Sequence, residues 1–599
     1  MKRTTYFFLS LLLAVGGCST DLLDIEESNA VVDNTSGTGN TGDTSSDVKS
    51  SDSDDSATDS AMDSATSVTD DAEDNITGTD FDRTIAIVFG GTQATVTGDE
   101  HSIVTVSGND VTVNNTTDEK IIYELSGSSQ DGFFKLYSNK KQAIRLNGVS
   151  LANKNGAAIN NQSKKRTFVV VSGTNTLKDG ASYTETPSGE DEKAAFFSEG
   201  QLVFSGDGSL TVTASGKSGI TSDDYVRFMD SPAVTVVSSA GHAVRGKDAV
   251  IVTGGTIEAT STAAMKKGFA SDSLVRFEGG VTTVTVSGGT AYDSDDQEYK
   301  AAAGVKADQL FEMVGGKLTV TSSGAGGKGI SGDGNGVFKG GTVVVKVTGS
   351  NYGSSSSGRW GGGSSSSDNS KSAKGIKFEG NLTVSGGSVT ASSSNHEGIE
   401  AKGTITVTGG SVYSSSKDDA INAGSHMTIS GGFVCAISSG NDGMDANGNC
   451  YIKGGVVYTA GASSPEVGID ANTEGGYKLY VSGGTLVAVG GLENGSSLTQ
   501  ACYSASSWSR NTWYALYSGS DTTPVFCFKT PASGGTSLVV STSGTPTLKS
   551  GVSVSGGTSY AGGLAVTGGT AGGGSSVKLA SYSGGAGMGG GPGGPGGRW

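Results

Sequence analysis

Between residues 404 and 462, apolar residues recur at every second position on either side of a Gly-Gly pair. Aligned on that pair, three segments read TITVTGGSVYSSS (404–416), HMTISGGFVCAIS (426–438) and CYIKGGVVYTAGA (450–462). Two residues before the first glycine stands Val407, Ile429 or Ile452. Two after the second stands Val412, Val434 or Val457, and four after it the small Ser414, Ala436 or Thr459. An alternation of period two turns one face of a strand inward. The glycine pair predicts a corner between two strands, because it supplies positive φ and lets backbones pass closely.

The same grammar extends well beyond these three segments. Doublets fall at 254–255, 288–289, 315–316, 340–341, 386–387, 409–410, 431–432, 454–455 and 483–484. From Gly387 onward the steps are 23, 22, 23 and 29 residues. The jump of 46 between Gly341 and Gly387 is read as two coils carrying a Ser- and Gly-rich loop at 350–373. Each coil has a third apolar position after a small residue, as in Gly398-Ile399-Glu400, Ala420-Ile421-Asn422, Gly443-Met444-Asp445 and Gly468-Ile469-Asp470. Three short strands in about 22 residues make one rung of a solenoid. A leucine ladder and the aromatic signature of propeller blades are both missing. The expected fold is all-β, a right-handed parallel β-helix.

Length supports this reading. A chain of 599 residues exceeds what one compact core holds, about 250–300 residues. A stack of coils escapes that limit because each coil buries the next. Glycine is 98 of 599 without a Gly-X-Y period, which excludes collagen.

Charge divides the chain. The net charge is −18, but residues 19–80 alone carry −16 and residues 81–599 about −4. Residues 1–18 read as a lipoprotein signal peptide: Lys2 and Arg3, the apolar run YFFLSLLLAV (6–15), then Val15-Gly16-Gly17-Cys18. Cys18 is the expected lipidation site, giving an exported bacterial lipoprotein anchored to a membrane, at the outer membrane or cell surface. Residues 19–80 read as a disordered acidic linker, since so polar a segment cannot offset its ordering entropy. The β-helix takes 81–490, a C-terminal β cap 491–583, and a Gly-rich flexible tail 584–599. A dense basic patch is lacking, which argues against nucleic acid as a partner. Of the remaining cysteines, Cys435 and Cys450 lie in adjacent repeats, and Cys502–Cys527 is the expected bridge if one forms after export.

Stacking the coils on the third position aligns acids. Glu400, Asn422, Asp445 and Asp470 fall in one column, Glu397, Asp419 and Asp442 in a second, and Asp418 beside it. Neighbouring coils lie roughly 4.8 Å apart. Carboxylates that close repel or take up protons. A divalent hard cation relieves them, and Ca2+ accepts six to eight oxygens in flexible geometry. The plainer alternative is a solvated acidic face with Asn and Asp serving turns. Tyr413 and Tyr458 take the outward strand position, where their rings could stack on sugars or form an aromatic ladder. Trp360, Trp508 and Trp513 are further candidate sugar contacts. The chain has no G-x-S-x-G, HExxH or P-loop pattern.

Residues 143–214 add a resemblance. LNGVSL, GAAI, VSGTNTLKDG and KAAFFSEGxLxFSGDGxLTV resemble a family of bacterial surface β-helix proteins labelled carbohydrate-binding domain-containing, similar in fold to polysaccharide lyase family nine pectate lyases. The resemblance implies a calcium-binding, non-catalytic protein for plant-type polysaccharides such as cellulose or pectic chains. Two alternatives stay open. One is a calcium-dependent polysaccharide lyase, with Lys377, Lys402 or Lys417 as base. The other is a structural adhesin with a protein partner.

Overall fold

The computed structural model describes residues 72–184, 187–353 and 371–584. Cys18, Trp360 and the Gly-rich tail from residue 585 lie outside them. The body is a parallel β-solenoid with three strands per coil. In its regular part, Leu382–Val384, Ile405–Val407, Met427–Ile429, Cys450–Ile452 and Leu479–Val481 form one ladder. Ser388–Ser393, Ser411–Ser416, Phe433–Ser438, Val456–Ala460 and Thr485–Val489 form a second. These two belong to one 32-stranded sheet. The third ladder, with Ile376–Phe378, Ile399–Ala401, Ile421–Ala423 and Met444–Ala446, lies in a 14-stranded sheet.

The inward positions fill one continuous core. Val407, Ile429, Val412, Val434, Ile399, Ile421 and Met444 are all buried in it. The corner between the first two ladders is the glycine pair. Its second residue is left-handed in every regular coil, as at Gly387, Gly410, Gly432 and Gly455 (φ +72° to +75°). The small residue before the third ladder is set by packing. A Cβ on Gly329 would lie 2.2 Å from Val345 Cγ1, a valine of the second ladder.

Two features of the repeat differ from expectation. Gly288-Gly289 is not a corner pair; that role falls to Gly279-Gly280, with Gly280 at φ +68°. Gly288 instead permits close backbone passage, since a Cβ there would meet Ala263 O at 1.9 Å. The 46-residue step is one coil, not two. Thr342–Val347 pairs directly with Ser388–Ser393, so everything extra is insertion. Insertions at 179–193, 287–302 and 348–375 all leave the coil between the second ladder and the 14-stranded sheet.

Both ends of the solenoid are closed by antiparallel pairing. Thr95–Thr97 turns back on Arg83–Phe89, and Leu538–Ser541 runs antiparallel to Thr485–Val489. Such closure removes a free edge that would recruit other strands. A six-stranded antiparallel sheet from Trp513 to Val577 lies against the flank of the last coils. It buries Phe433, Cys435, Tyr458 and Val487 against Tyr514, Phe526 and Phe528. The expected Cys502–Cys527 bridge does not form: the two residues sit in different sheets, and all four described cysteines are buried free thiols.

The linker boundary also shifts. Residues 72–80 are docked on the solenoid. Asp74 is 2% exposed and bonds Arg166 at 2.9 Å and Arg227 at 3.0 Å, and it accepts a hydrogen bond from the Tyr225 hydroxyl. Ile76 and Phe81 pack on an apolar stripe that includes Phe168, Val203 and Ile251. Polar composition concealed this, because two apolar residues and one ion cluster suffice to hold a short segment.

Candidate functional site

The 14-stranded sheet carries the chemistry on its outer face. One column, one residue beyond the buried apolar position, runs Arg245, Ala270, Lys306, Ser331, Lys377, Glu400, Asn422, Asp445. Bridges from Met444 to Ile469 and from Ile469 to Leu492 continue it to Asp470 and Glu493. The column therefore changes sign between Lys377 and Glu400. The column two residues before the apolar position does the same, from Lys267, Ala303, Lys328 and Lys374 to Glu397, Asp419 and Asp442.

Compensation differs on the two sides of that boundary. Arg245 pairs with Asp272 at 2.8 Å, Lys306 with Asp308 and Asp333, and Lys377 with Glu379 at 2.5 Å. Each partner acid stands just after a strand of this sheet, on the same coil for Asp308 and Glu379 and on the next coil for Asp272 and Asp333. At the boundary Lys402 fills that turn position and binds Glu400 at 2.5 Å. Beyond it the same position holds Gly424, Asn447 and Asn472. The acids lose their counter-column there, and among the described residues no ion pair reaches Asp419, Asp442, Asp445 or Asp470.

The electrostatics follow this split. Burial would raise Glu400, but Lys374 and Lys402 hold its carboxyl below the usual range. Burial pushes Asp419 up to about 7, reinforced by Asp445, and Asp442 also to about 7. Burial and a side-chain hydrogen bond with Glu493 push Asp470 up to about 9. Asp445 is raised by burial as well. Asn422 Nδ2 ties two of these acids, donating to Asp419 Oδ2 at 3.0 Å and Asp445 Oδ2 at 2.7 Å. Backbone amides supply further donors, from Asp442 to Asp419 Oδ1 (3.1 Å) and from Val467 to Asp442 Oδ1 (2.6 Å).

The eight expected metal ligands thus fall into two groups. Glu397, Glu400 and Asp418 lie at the boundary. Lys374 contacts both glutamates, and His396 contacts Glu397 and Asp418. His396, Glu397 and Asp418 bring three ligand atoms within 4.8 Å of one another. Asp419, Asn422, Asp442, Asp445 and Asp470 form the uncompensated run. Glu493 extends it, and Gly491-Leu492-Glu493 carries the small–apolar–acid signal that would have found it. The cationic half was equally legible at the same register, in Lys328 and Lys374. Lys328 has no carboxylate partner among the described residues, and burial with repulsion from Lys377 lowers its amine to about 7.

Beside this face, at the corner that emits the insertions, lies a groove of about 390 Å³. Ser392, Ser394, Ser415, Lys417 and Ser439 line it. It offers hydroxyls and one amine, groups that hydrogen-bond sugar hydroxyls, beside the apolar side chain of Ile437. The aromatic expectation fails in part. Tyr413 and Tyr458 do point outward, paired through Cys435, but the C-terminal sheet covers Tyr458, and Tyr413 packs half-buried against the same cluster. Tyr458 is fully buried and donates its hydroxyl to Lys529 O at 2.7 Å. Its ring is closed to a ligand, because period two reports direction and not exposure. Trp508 also packs in this cluster, with Nε1 donating to Gly535 O at 2.8 Å.

A sequence model of the family described as "Carbohydrate-binding domain-containing protein" matches residues 107–420. No curated protein matches the chain. Among solved structures the chain is similar to a polysaccharide lyase-like protein from C. thermocellum, solved as a gadolinium derivative. Identity is 19% and the TM-score 0.35, over 43% of this chain and 96% of that one.

Proposed function

Since the chain belongs to the carbohydrate-binding domain-containing protein family, we propose that it is a surface-anchored, calcium-binding, non-catalytic protein for plant-type polysaccharides. The observation that carries this reading is the family match itself. It spans the solenoid coils up to residue 420 and includes Glu397, Glu400 and the first two rungs of the serine-lined groove. The groove supplies hydrogen-bonding groups at a surface open to a long polymer. A lipid on Cys18 would hold the body at the membrane, and export would bring it to extracellular glycans.

Calcium enters through the uncompensated acids. The donor set of Asp419, Asn422, Asp442, Asp445, Asp470 and Glu493 is all oxygen, which suits a hard cation. Asp419, Asn422, Asp442 and Asp445, on two neighbouring coils, would hold one ion, with Asp470 and Glu493 further along the column for a second, and the ions would neutralise carboxylates that otherwise share protons. Asn422 would orient Asp419 and Asp445 through its amide. Glu400 stays committed to Lys374 and Lys402.

Lyase chemistry is the second reading, favoured by Lys328. An amine lowered to about 7 without a carboxylate partner can accept a proton near neutral pH. Lys377 and Lys402 are engaged with Glu379 and Glu400 and are poorer bases.

A glycan array probed with and without calcium tests both. Calcium-dependent retention of polysaccharides, without unsaturated uronate product in the ultraviolet, supports binding. Product formation from polygalacturonate turns the assignment to a lyase. Retention of no glycan in either condition overturns the carbohydrate reading.

A further inference from the structure

Two insertions meet outside the groove. The first carries a hairpin, Ala291–Asp293 paired antiparallel with Glu298–Lys300, with Tyr292 directly opposite Tyr299. Their ring centroids lie 5.2 Å apart at 62°. The second insertion carries Tyr352, bridged to Lys371, and its ring lies 5.7 Å from Tyr299. Three rings from two separate coils thus form one row.

The row rests on a firm base. Gly326 passes beneath it, and a Cβ there would strike Tyr352 Cβ at 2.9 Å and Lys371 Cβ at 3.0 Å. Gly326 N donates to Ser350 O at 2.7 Å. The hairpin is tied by Lys300 to Asp293 at 3.1 Å and to Asp296. Yet the outer ring is left uncovered. Tyr292 is 51% exposed, the most open of the large apolar side chains among the described residues. If the row only joined the two insertions, Tyr299 and Tyr352 would suffice. Tyr292 adds a ring whose far side faces solvent.

Its position connects it to the groove. Asn351, next to Tyr352, donates to Asn395 O at 3.4 Å, and Asn395 donates to Gly349 O at 2.9 Å. Asn395 directly follows Ser394 of the groove. Both features lie on the corner between the second ladder and the 14-stranded sheet. With coils roughly 4.8 Å apart, one glycan chain along that corner would span both.

We propose that Tyr292, Tyr299 and Tyr352 form a second carbohydrate subsite, which stacks Tyr292 against the apolar C–H face of a pyranose ring. Aromatic rings with polar rims suit that surface, since a sugar is apolar on its faces and polar at its edge. Asp293 and Lys300, next in sequence to Tyr292 and Tyr299, pair with each other beside the row. This subsite rests on the polysaccharide-binding reading and extends it from the groove to the insertions.

The test uses the full chain in affinity electrophoresis through gels holding polygalacturonate or a neutral soluble glucan. Tyr292→Ala should weaken retention roughly tenfold on at least one of the two, the scale of one lost stacking contact. Tyr292→Phe should keep it, and the melting temperature of both variants should match the parent. Parent retention with Tyr292→Ala unchanged overturns the subsite and leaves the groove reading standing. A parent retained by neither polymer overturns both. A lower melting point for Tyr292→Ala, with retention intact, identifies the row as a brace between insertions and also overturns the subsite.

Discussion

Lys374 Nζ lies 2.5 Å from Glu400 Oε2, with both side chains buried at the point where the charged columns change sign. The same amine reaches Glu397 at 3.2 Å. One lysine therefore separates a compensated half of the sheet from an uncompensated one. Lys374→Met should destabilise the protein by roughly 3–5 kcal/mol, because it removes the buried cation that Glu397 and Glu400 share and leaves Glu400 only the half-exposed Lys402. Adding Glu400→Gln should restore much of that loss. Thermal or urea unfolding of the two single variants and the double variant checks the coupling.

The acid run predicts a pH dependence of known sign. Asp419, Asp442 and Asp470 have folded values of about 7, 7 and 9, above the usual carboxylate value near 4. The folded state then holds more protons than the unfolded one. Stability from these groups is present in full below about pH 4 and is lost as pH rises through 7 to 9. In chelator the melting temperature should fall across that window. Calcium should remove most of the fall, so its stabilising effect should grow with pH. A calcium effect equal at pH 5 and pH 9 would contradict this.

The docked N-terminal segment gives a local prediction. Asp74→Ala removes the acid bonded to Arg166 and Arg227. Loss of a buried partner costs roughly 3–5 kcal/mol where the site cannot relax. A nine-residue segment can lift away instead, so the main effect should be local release. Limited proteolysis should cut between residues 72 and 82 in the variant and spare them in the parent.

Thiol counting separates two claims. Five cysteines are encoded, and the four in the described body are free and buried. Mature lipidated protein should show four titratable thiols in denaturant and almost none when native. Reductant should leave its melting point unchanged. A Cys18→Ser variant should lose fatty-acid labelling; persistence of the label would remove the anchor.

Tyr458 distinguishes packing from binding. Tyr458→Phe removes one hydrogen bond to Lys529 O and should cost about 1 kcal/mol. Tyr458→Ala should cost roughly 3–5 kcal/mol through the cavity it leaves under the C-terminal sheet. Glycan retention by the Phe variant should equal that of the parent.

What could be recognised from the chain followed from how local its cause was. Gly410 and its equivalents announce a corner because only a left-handed residue fits there. Ile399, Ile421 and Met444 announce the third strand because they recur at a fixed distance from that corner. Gly288-Gly289 misled because close backbone passage selects the same residue for a different reason. Register between coils carried the acids, and it carries Lys328 and Lys374 equally, at the same position two residues before the buried apolar one. Nothing in the repeat foretold that a later sheet would bury Tyr458, since that contact joins segments far apart in sequence. The docking of Asp74 escaped for a similar reason: its partners Arg166 and Arg227 lie about 90 and 150 positions away.

The pairing of Thr342–Val347 with Ser388–Ser393 holds six residues in register across an insertion, with no slip on either side. The core on both sides is indifferent to what leaves at that corner. Lengthening a loop costs little, roughly 0.6 kcal/mol for each doubling. An outgrowth at 179–193, 287–302 or 348–375 can therefore change in length without disturbing the coils that flank it. The coils and the outgrowths are thereby free to diverge at different rates, the first held by the register of the core and the second only by where they leave and re-enter it.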